Sequence, residues 1–527
     1  MKEKVNIEMH PKVQTKSGEL RGVEEGGVWA FRGIPYAAST EASGRFRAPQ
    51  EVKPWVGVRE ATRAGPAAVQ PTRLPPSLRR LSAVPPNGVS EDCLNLNVWT
   101  PGLAASARPV MVWLHGGGFT RGSGSWYLYS GARMALRGDV VVVSINYRLG
   151  AFGALVTEEM ADSDSADSNV GLRDQIAALR WVAENIADFG GDPTRVTAFG
   201  QSAGAMSVAS LLATPAAKGL FSRAILQSGA ASNLLRPSQG RDVARDLCAR
   251  LGVDIQSAHP LAELRTRDAS EILEAQMKVS DHHHLPLGAM AWQPTLDGEL
   301  FTDTPLGLWP GLGNPAPEIL LGTNLDEWKM FTALDGKRRN LDEATLRDYL
   351  GRTLASDEDL SGSGSVDEVL ALYAKTPEGH VRTPGQIWSS VQGDRVFTVP
   401  AVQLADRNAE LKGKTWLYRF DWKPRWMHER VGACHSMELP FVFGSLREPL
   451  PRWLLQARQE DQHLSDQIQE AWFTFAKSGD PRSEANPSWP LYQDSQGKAH
   501  VFGGRDRDVS ALPEEERRFW SDRDGPN

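Results

Sequence analysis

The clearest signal along the chain is a set of short, Val- and Ile-rich runs that are apolar on both faces. Four lie in its first half: PVMVWLHG (109–116), DVVVVSINY (139–147), RVTAFG (195–200) and RAILQSG (223–229). Val- and Ile-rich runs of this length suit strands covered on both faces, because a sheet with one wet face would alternate apolar and polar residues. Between the second and third runs, SNVGLRDQIAALRWVAENIADFGGD places Ile176, Leu179, Ala183, Ile186 and Phe189 at helical spacing before a Gly pair. Strand, helix, strand alternation predicts an α/β chain built on a mainly parallel sheet. EILLGTN (318–324), KTWLYRFDW (414–422) and KAHVFGG (498–504) extend that sheet. The N-terminal segments TKSGELRGV and GGVWAFRGIPYA follow another rhythm, short apolar runs punctuated by Gly, and predict a small antiparallel sheet. Regions 235–290 and 335–395 are helix-patterned and read as cap insertions. The Pro-rich segment 71–90 reads as a surface loop, since its prolines lack the backbone donor that regular structure needs.

Composition narrows the picture. The 527 residues show no break that would divide them, so a single domain spanning 1–527 is expected. A net charge of −7 offers no basic footprint for nucleic acid. No stretch approaches the roughly 20 apolar residues a membrane-spanning helix needs. The start, MKEKVNIEMHPKVQTKSGELRGV, is charged and lacks the apolar core of a secretory signal. With only three widely separated cysteines, Cys93, Cys248 and Cys434, this points to the cytoplasm. Nothing in the pattern decides between a monomer and a small homo-oligomer.

The candidate chemistry centres on Gly200-Gln201-Ser202-Ala203-Gly204. A Gly-x-Ser-x-Gly pentapeptide alone is a weak signal. Here it follows the strand-like Val196–Phe199 and precedes the helix-compatible AMSVASLLAT, the strand-turn-helix setting of a nucleophile elbow in the α/β-hydrolase fold. Upstream, His115-Gly116-Gly117-Gly118-Phe119 follows another strand and supplies amides unscreened by side chains. Gly117 and Gly118, with the amide of Ala203, are the expected oxyanion-hole donors.

These residues resemble the type-B carboxylesterase and cholinesterase family, most closely its bacterial para-nitrobenzyl-esterase-like members. The matching segments are SEDCLNLNVW (90–99), the HGGGF loop, NYRLGAFG (146–153), GDPTRVTAFGQSAG (191–204), AILQSG (224–229), GTNLDEW (322–328), GACHSMELPFVFG (432–444) and FAKSGDPRSEANPSWPLY (475–492). The resemblance implies a serine hydrolase that cleaves a small-molecule carboxylic ester through an acyl-enzyme on Ser202. Glu327 would be its acid, with Asp326 a structural neighbour, and Ser228 would hydrogen-bond that acid. His435 follows a late strand, as the Ser, acid, His order of the fold requires, and is the candidate base. Family ion pairs would map to Arg45 with Glu91 and Arg148 with Asp174. No metal or organic cofactor is called for.

The chain departs from disulfide-bearing relatives at Gly65-Pro66-Ala67-Ala68, where Cys93 would otherwise find its partner. Residues 69–90 also contain no aromatic residue, which removes the platform a choline ester would use. His282-His283-His284 reads as a mobile loop, because three consecutive side chains do not converge readily on one ion and no acidic partner has suitable spacing. Cys434 is read as a small apolar filler, the alternative being a thiol whose modification blocks the site. Trp126, Trp292, Trp328, Phe331, Trp388 and Phe397 are candidates to line a pocket. Other enzyme readings remain: an amidase, a thioesterase or a specialised detoxifying ester hydrolase using the same triad. A non-catalytic binding protein of this fold is a further alternative.

Overall fold

The computed structural model describes residues 10–521 apart from 73–86, 105, 161–166, 284–289, 310–315, 334, 357–364, 377–378, 426–427 and 506–507. Most of the Pro-rich segment, together with His284, therefore lies outside the described residues.

Among the described residues, fourteen strands form two sheets. They are β1 (Lys12–Thr15), β2 (Gly18–Arg21), β3 (Val23–Glu25), β4 (Val28–Pro35), β5 (Val58–Glu60), β6 (Asn95–Thr100) and β7 (Arg108–Leu114), then β8 (Val141–Ile145), β9 (Gly191–Gln201), β10 (Arg223–Gln227), β11 (Glu318–Asn324), β12 (Thr415–Phe420), β13 (Lys498–Phe502) and β14 (Asp508–Ser510). The small sheet has the order β1-β2-β5. Its first pair is antiparallel and its second parallel. The large sheet has the order β14-β13-β12-β11-β10-β9-β7-β8-β6-β4-β3. All pairings from β8 through to β13 are parallel, and antiparallel strands stand at both edges.

The two-sided apolar runs are central because the sheet separates two apolar layers. Val110, Val112 and Leu114 pack with Leu172, Ile176 and Leu179 on one side. Met111 and Trp113 alternate to the other and pack with Phe443, Trp472 and Phe475. The predicted helix runs from Val170 to Asn185 and then tightens into a 3-10 turn, Ile186–Phe189, closed by Gly190 at φ 78°. The helical stretch was expected to continue unbroken to Phe189; the tighter turn and left-handed Gly190 reverse the chain into β9 instead.

Two ion pairs tie the layers together. Arg148 grips Asp174 through Nε (2.8 Å) and Nη2 (2.6 Å), with both side chains almost fully buried. Arg45 Nε donates to Glu91 at 2.7 Å, while its Nη1 reaches the carbonyls of Leu264, Arg265 and Arg267. Within 235–290 lie the helices Pro237–Leu251, Pro260–Thr266 and Ala269–His283; Glu343–Ser356, Val366–Tyr373 and Pro384–Gly393 occupy 335–395. Each group builds an apolar cluster of its own, around Leu247, Ile272 and Trp292 and around Leu346, Tyr373 and Trp388. His282 and His283 close a helix rather than lying in a mobile loop, because Val279 and Ile272 anchor its inner face.

Candidate active site

Parallel strands deliver their C-terminal ends to one edge of the sheet, and the site is built there. Gln201 of β9 pairs with Gln227 of β10, which pairs with Gly322 of β11, which pairs with Tyr418 of β12. β9 and β10 end at this level and β11 and β12 two residues beyond it, and each is followed by a loop that the sequence had singled out.

Ser202 stands between β9 and the helix Ala203–Ala213 at φ 57°, ψ −130°. A serine in this region carries roughly 1–3 kcal/mol of strain. The surroundings hold it there: Ser202 N donates to Gln227 O at 2.8 Å, and Met206 N donates to Ser202 O at 2.9 Å. The flanking glycines answer to close approach. A Cβ on Gly204 would lie 2.1 Å from Leu114 O, and one on Gly200 would lie 2.5 Å from the carbonyl carbon of Gly204. Helix and strands can therefore meet only without side chains at these positions.

The Gly-rich loop follows β7, next to β9. Gly117 has φ 121° and Gly118 φ 60°. Thr120 N and Arg121 N both donate to Gly117 O, folding the loop back on itself. Among the described residues, the amides of Gly117, Gly118 and Ala203 have no hydrogen-bond partner. His115 shapes the loop from below. It is buried with its ring stacked 4.5 Å from that of Tyr147, whose hydroxyl donates to His115 O at 2.6 Å. Burial lowers the His115 pKa to about 4, so the ring is neutral at pH 7.

Glu327 and His435 come from loops after the adjacent strands β11 and β12. His435 Nδ1 donates to Glu327 Oε2 at 2.7 Å, and both side chains are almost fully buried. The other Glu327 oxygen accepts from Asn324 N at 2.8 Å. Asp326 stitches the two loops: Asp326 N donates to Ala433 O and Ala433 N to Asp326 Oδ2, each at 3.0 Å. Burial alone would raise the Asp326 pKa, but Lys329 and Lys423 outweigh it and the carboxyl is held below its ordinary value.

The histidine ring lies between aromatic neighbours, Phe397 at 4.7 Å and Phe331 at 5.6 Å. Trp328 and Phe397 join Phe119, Ala203 and Met206 in one apolar cluster. Trp292 and Trp388 are instead fully buried in the two helical clusters, and Trp126 packs on Tyr127 and Tyr129. Of the six aromatic candidates, Trp292, Trp328, Trp388 and Phe397 are buried, Trp126 is half-buried and Phe331 is exposed.

A paired histidine and carboxylate, a strained serine and three free amides at one sheet edge are an arrangement able to carry out acyl transfer. The model of the carboxylesterase family matches residues 9–520. The chain belongs to the carboxylesterase family. It is a serine hydrolase acting on carboxylic esters. It is 37% identical to the para-nitrobenzyl esterase of Bacillus subtilis, with 97% of this chain and 98% of that one covered. The phenmedipham hydrolase of Pseudarthrobacter oxydans is 32% identical, with 95% and 96% covered. A solved para-nitrobenzyl esterase structure superposes with a TM-score of 0.81 at 36% identity, covering 97% of this chain and 99% of that one. A Geobacillus stearothermophilus carboxylesterase gives 0.84 at 34%, with 97% and 99% covered. Among the described residues no helix is long and apolar enough to cross a membrane.

Three features of this carboxylesterase differ from the sequence reading or extend it. Ser228 was expected to hydrogen-bond the acid, yet its buried Oγ has no partner among the described residues; the oxygens of Glu327 are taken by His435 and Asn324 N. Gln201, the variable position of the pentapeptide, places Nε2 3.0 Å from Nε2 of His435. With Nδ1 carrying the hydrogen it donates to Glu327, Nε2 accepts from the Gln201 amide. Finally, the buried Glu438 accepts from Asn324 Nδ2 at 2.7 Å and Gln227 Nε2 at 3.2 Å. Its burial raises its pKa, and the Asn324 hydrogen bond opposes that rise. A lone carboxylate inside the apolar run MELPFVF was the signal for it. Cys434 is buried, its thiol pushed up to about 12 by burial first and then by Glu327, Asp326 and Glu438.

Proposed function

We propose that Ser202, His435 and Glu327 are the nucleophile, base and acid of this esterase, with the amides of Gly117, Gly118 and Ala203 as its oxyanion hole. The 2.7 Å contact between His435 Nδ1 and Glu327 is the observation that carries this reading, since it fixes the tautomer whose Nε2 can take a proton. The Ser202 hydroxyl displaces the Gln201 amide from Nε2, gives up its proton there and attacks the ester carbonyl. The carbonyl electrons move onto oxygen, which the three free amides receive. The imidazolium, balanced by Glu327, then protonates the leaving alcohol as the C–O bond breaks. Water enters, loses its proton to His435 and attacks the acyl-enzyme; collapse returns the proton to Ser202 and releases the acid. Gln201 is a positioning residue in this scheme, holding the ring in its receptive tautomer between turnovers.

The substrate we propose is an uncharged ester with an aryl or short-to-medium acyl part. This rests on Phe331, Phe397 and Trp328 beside the histidine and on the similarity to the para-nitrobenzyl esterase. Placement in the cytoplasm is supported by three unpaired cysteines. The test is pre-steady-state hydrolysis of para-nitrophenyl acetate. The wild type should give a burst of para-nitrophenol equal to its active sites, and Ser202→Ala should give none while keeping its circular dichroism. An unchanged burst in Ser202→Ala would overturn the assignment.

A further inference from the structure

The helices Pro237–Leu251 and Ala269–His283 pack through Val243, Ala244 and Leu247 against Ile272, Ala275 and Val279. This packing sets the C-terminal turn of the second helix over Asp246 of the first. His282 Nδ1 lies 2.9 Å from Asp246 Oδ2, and His283 Nε2 lies 3.4 Å from the same oxygen. The three candidate donor atoms all fall within 4.8 Å of one another. His283 Nε2 is screened from solvent yet has no hydrogen-bond partner among the described residues. That nitrogen faces the Asp246 carboxylate without a hydrogen bond to it. Arg250 holds the opposite oxygen, Nε to Oδ1 at 2.9 Å, and reaches Oδ2 only at 3.2 Å through Nη2.

We propose that Asp246, His282 and His283 form a binding site for a borderline divalent transition metal such as Zn2+, separate from the ester-cleaving centre. Two imidazole nitrogens and one carboxylate oxygen match the donor preference of zinc, nickel, cobalt or copper, whereas calcium and magnesium take oxygen donors. Donors about 2.0–2.2 Å from a tetrahedral zinc stand roughly 3.3–3.5 Å apart, which the His283–Asp246 separation already meets. The His282 contact is a hydrogen bond and must open by about half an ångström to reach that range. For this, His282 must present the Nδ1 lone pair, which requires the tautomer that carries its hydrogen on Nε2, and water completes the coordination. The position is electrostatically favourable, because the last turn of a helix carries the negative end of its dipole. Sequence spacing conceals the site, since the acid lies 36 residues before His282 and only helix packing joins them.

The test uses the full chain without an affinity tag, stripped of metal and titrated with ZnCl2 by calorimetry. The expected result is one equivalent bound, at least tenfold weakened in both Asp246→Asn and His283→Ala, together with a zinc-dependent rise in melting temperature that both variants lose. Calcium and magnesium chloride should give no heat of binding at the same concentrations. Ester hydrolysis by the metal-free variants should match the wild type, which shows that they fold. Absence of a saturable equivalent, or zinc binding that survives undiminished in both variants, would overturn the proposal. So would zinc that only inhibits hydrolysis and does so equally in wild type and variants, since that would place it at His435.

Discussion

Replacing Gln201 by glutamate tests the catalytic geometry most directly, because it changes the charge beside His435 with little change in shape. The Gln201 amide nitrogen lies 3.0 Å from His435 Nε2, and both residues are almost fully buried. At that distance a carboxylate and an imidazolium attract by about 5 kcal/mol at an effective dielectric constant near 20. Desolvating the new carboxylate, with Glu327 already on the other ring nitrogen, offsets much of this. The range for an opposite charge in contact is about one to three pH units, and one to two are expected here, about 1.4–2.7 kcal/mol. The sign follows from which form is favoured. A carboxylate stabilises the protonated ring, which cannot accept the Ser202 proton, so the acid limb of kcat/KM moves to higher pH and activity is lost below it. The assay is para-nitrophenyl acetate hydrolysis from about pH 5 to 9 for wild type, Gln201→Glu and Gln201→Met. The methionine removes the amide without adding charge and so separates the two effects. If the acid limb of a folded Gln201→Glu enzyme superposes on that of the wild type, Gln201 does not face the catalytic nitrogen and the argument fails.

Other outcomes follow from single contacts. Gly204→Ala should cost about 3 kcal/mol or abolish folding, since its Cβ would stand 2.1 Å from Leu114 O. Gly219→Ala, with φ +81° and open space, should cost only about 1 kcal/mol. Calorimetric melting compares the two, and equal losses would refute the close-packing argument. Arg148→Met should destabilise the enzyme by about 3–5 kcal/mol by stranding the buried Asp174, and the double variant Arg148→Met/Asp174→Leu should recover most of that in the same measurement. Cys434, with its thiol pushed up to about 12, is about one part in ten thousand thiolate at pH 8, so iodoacetamide should leave both activity and the mass of its peptide unchanged in the folded enzyme. Stoichiometric labelling there would show the thiol to be reactive.

The sequence by itself determined the parts whose physics is local. Two-sided apolar runs such as PVMVWL have no use outside a doubly covered sheet, and the Gly-Gln-Ser-Ala-Gly turn between strand and helix already required glycines where backbones touch. Family motifs, read with chain order, pointed to Glu327 among many acids and to His435 among eleven histidines. Tertiary structure decided what depends on which strands are neighbours. Placing β10 between β9 and β11 sets Gln227 beneath Ser202 and leaves Ser228 without the bond expected of it. Placing β11 beside β12 brings Asn324, Glu327, His435 and Glu438 into one buried network. The same holds away from the sheet, where helix packing gives His282 and His283 the acidic partner that spacing along the chain hides. Periodicity records which face of an element is buried. Which side chain waits on the other side of that burial is fixed only when the elements pack.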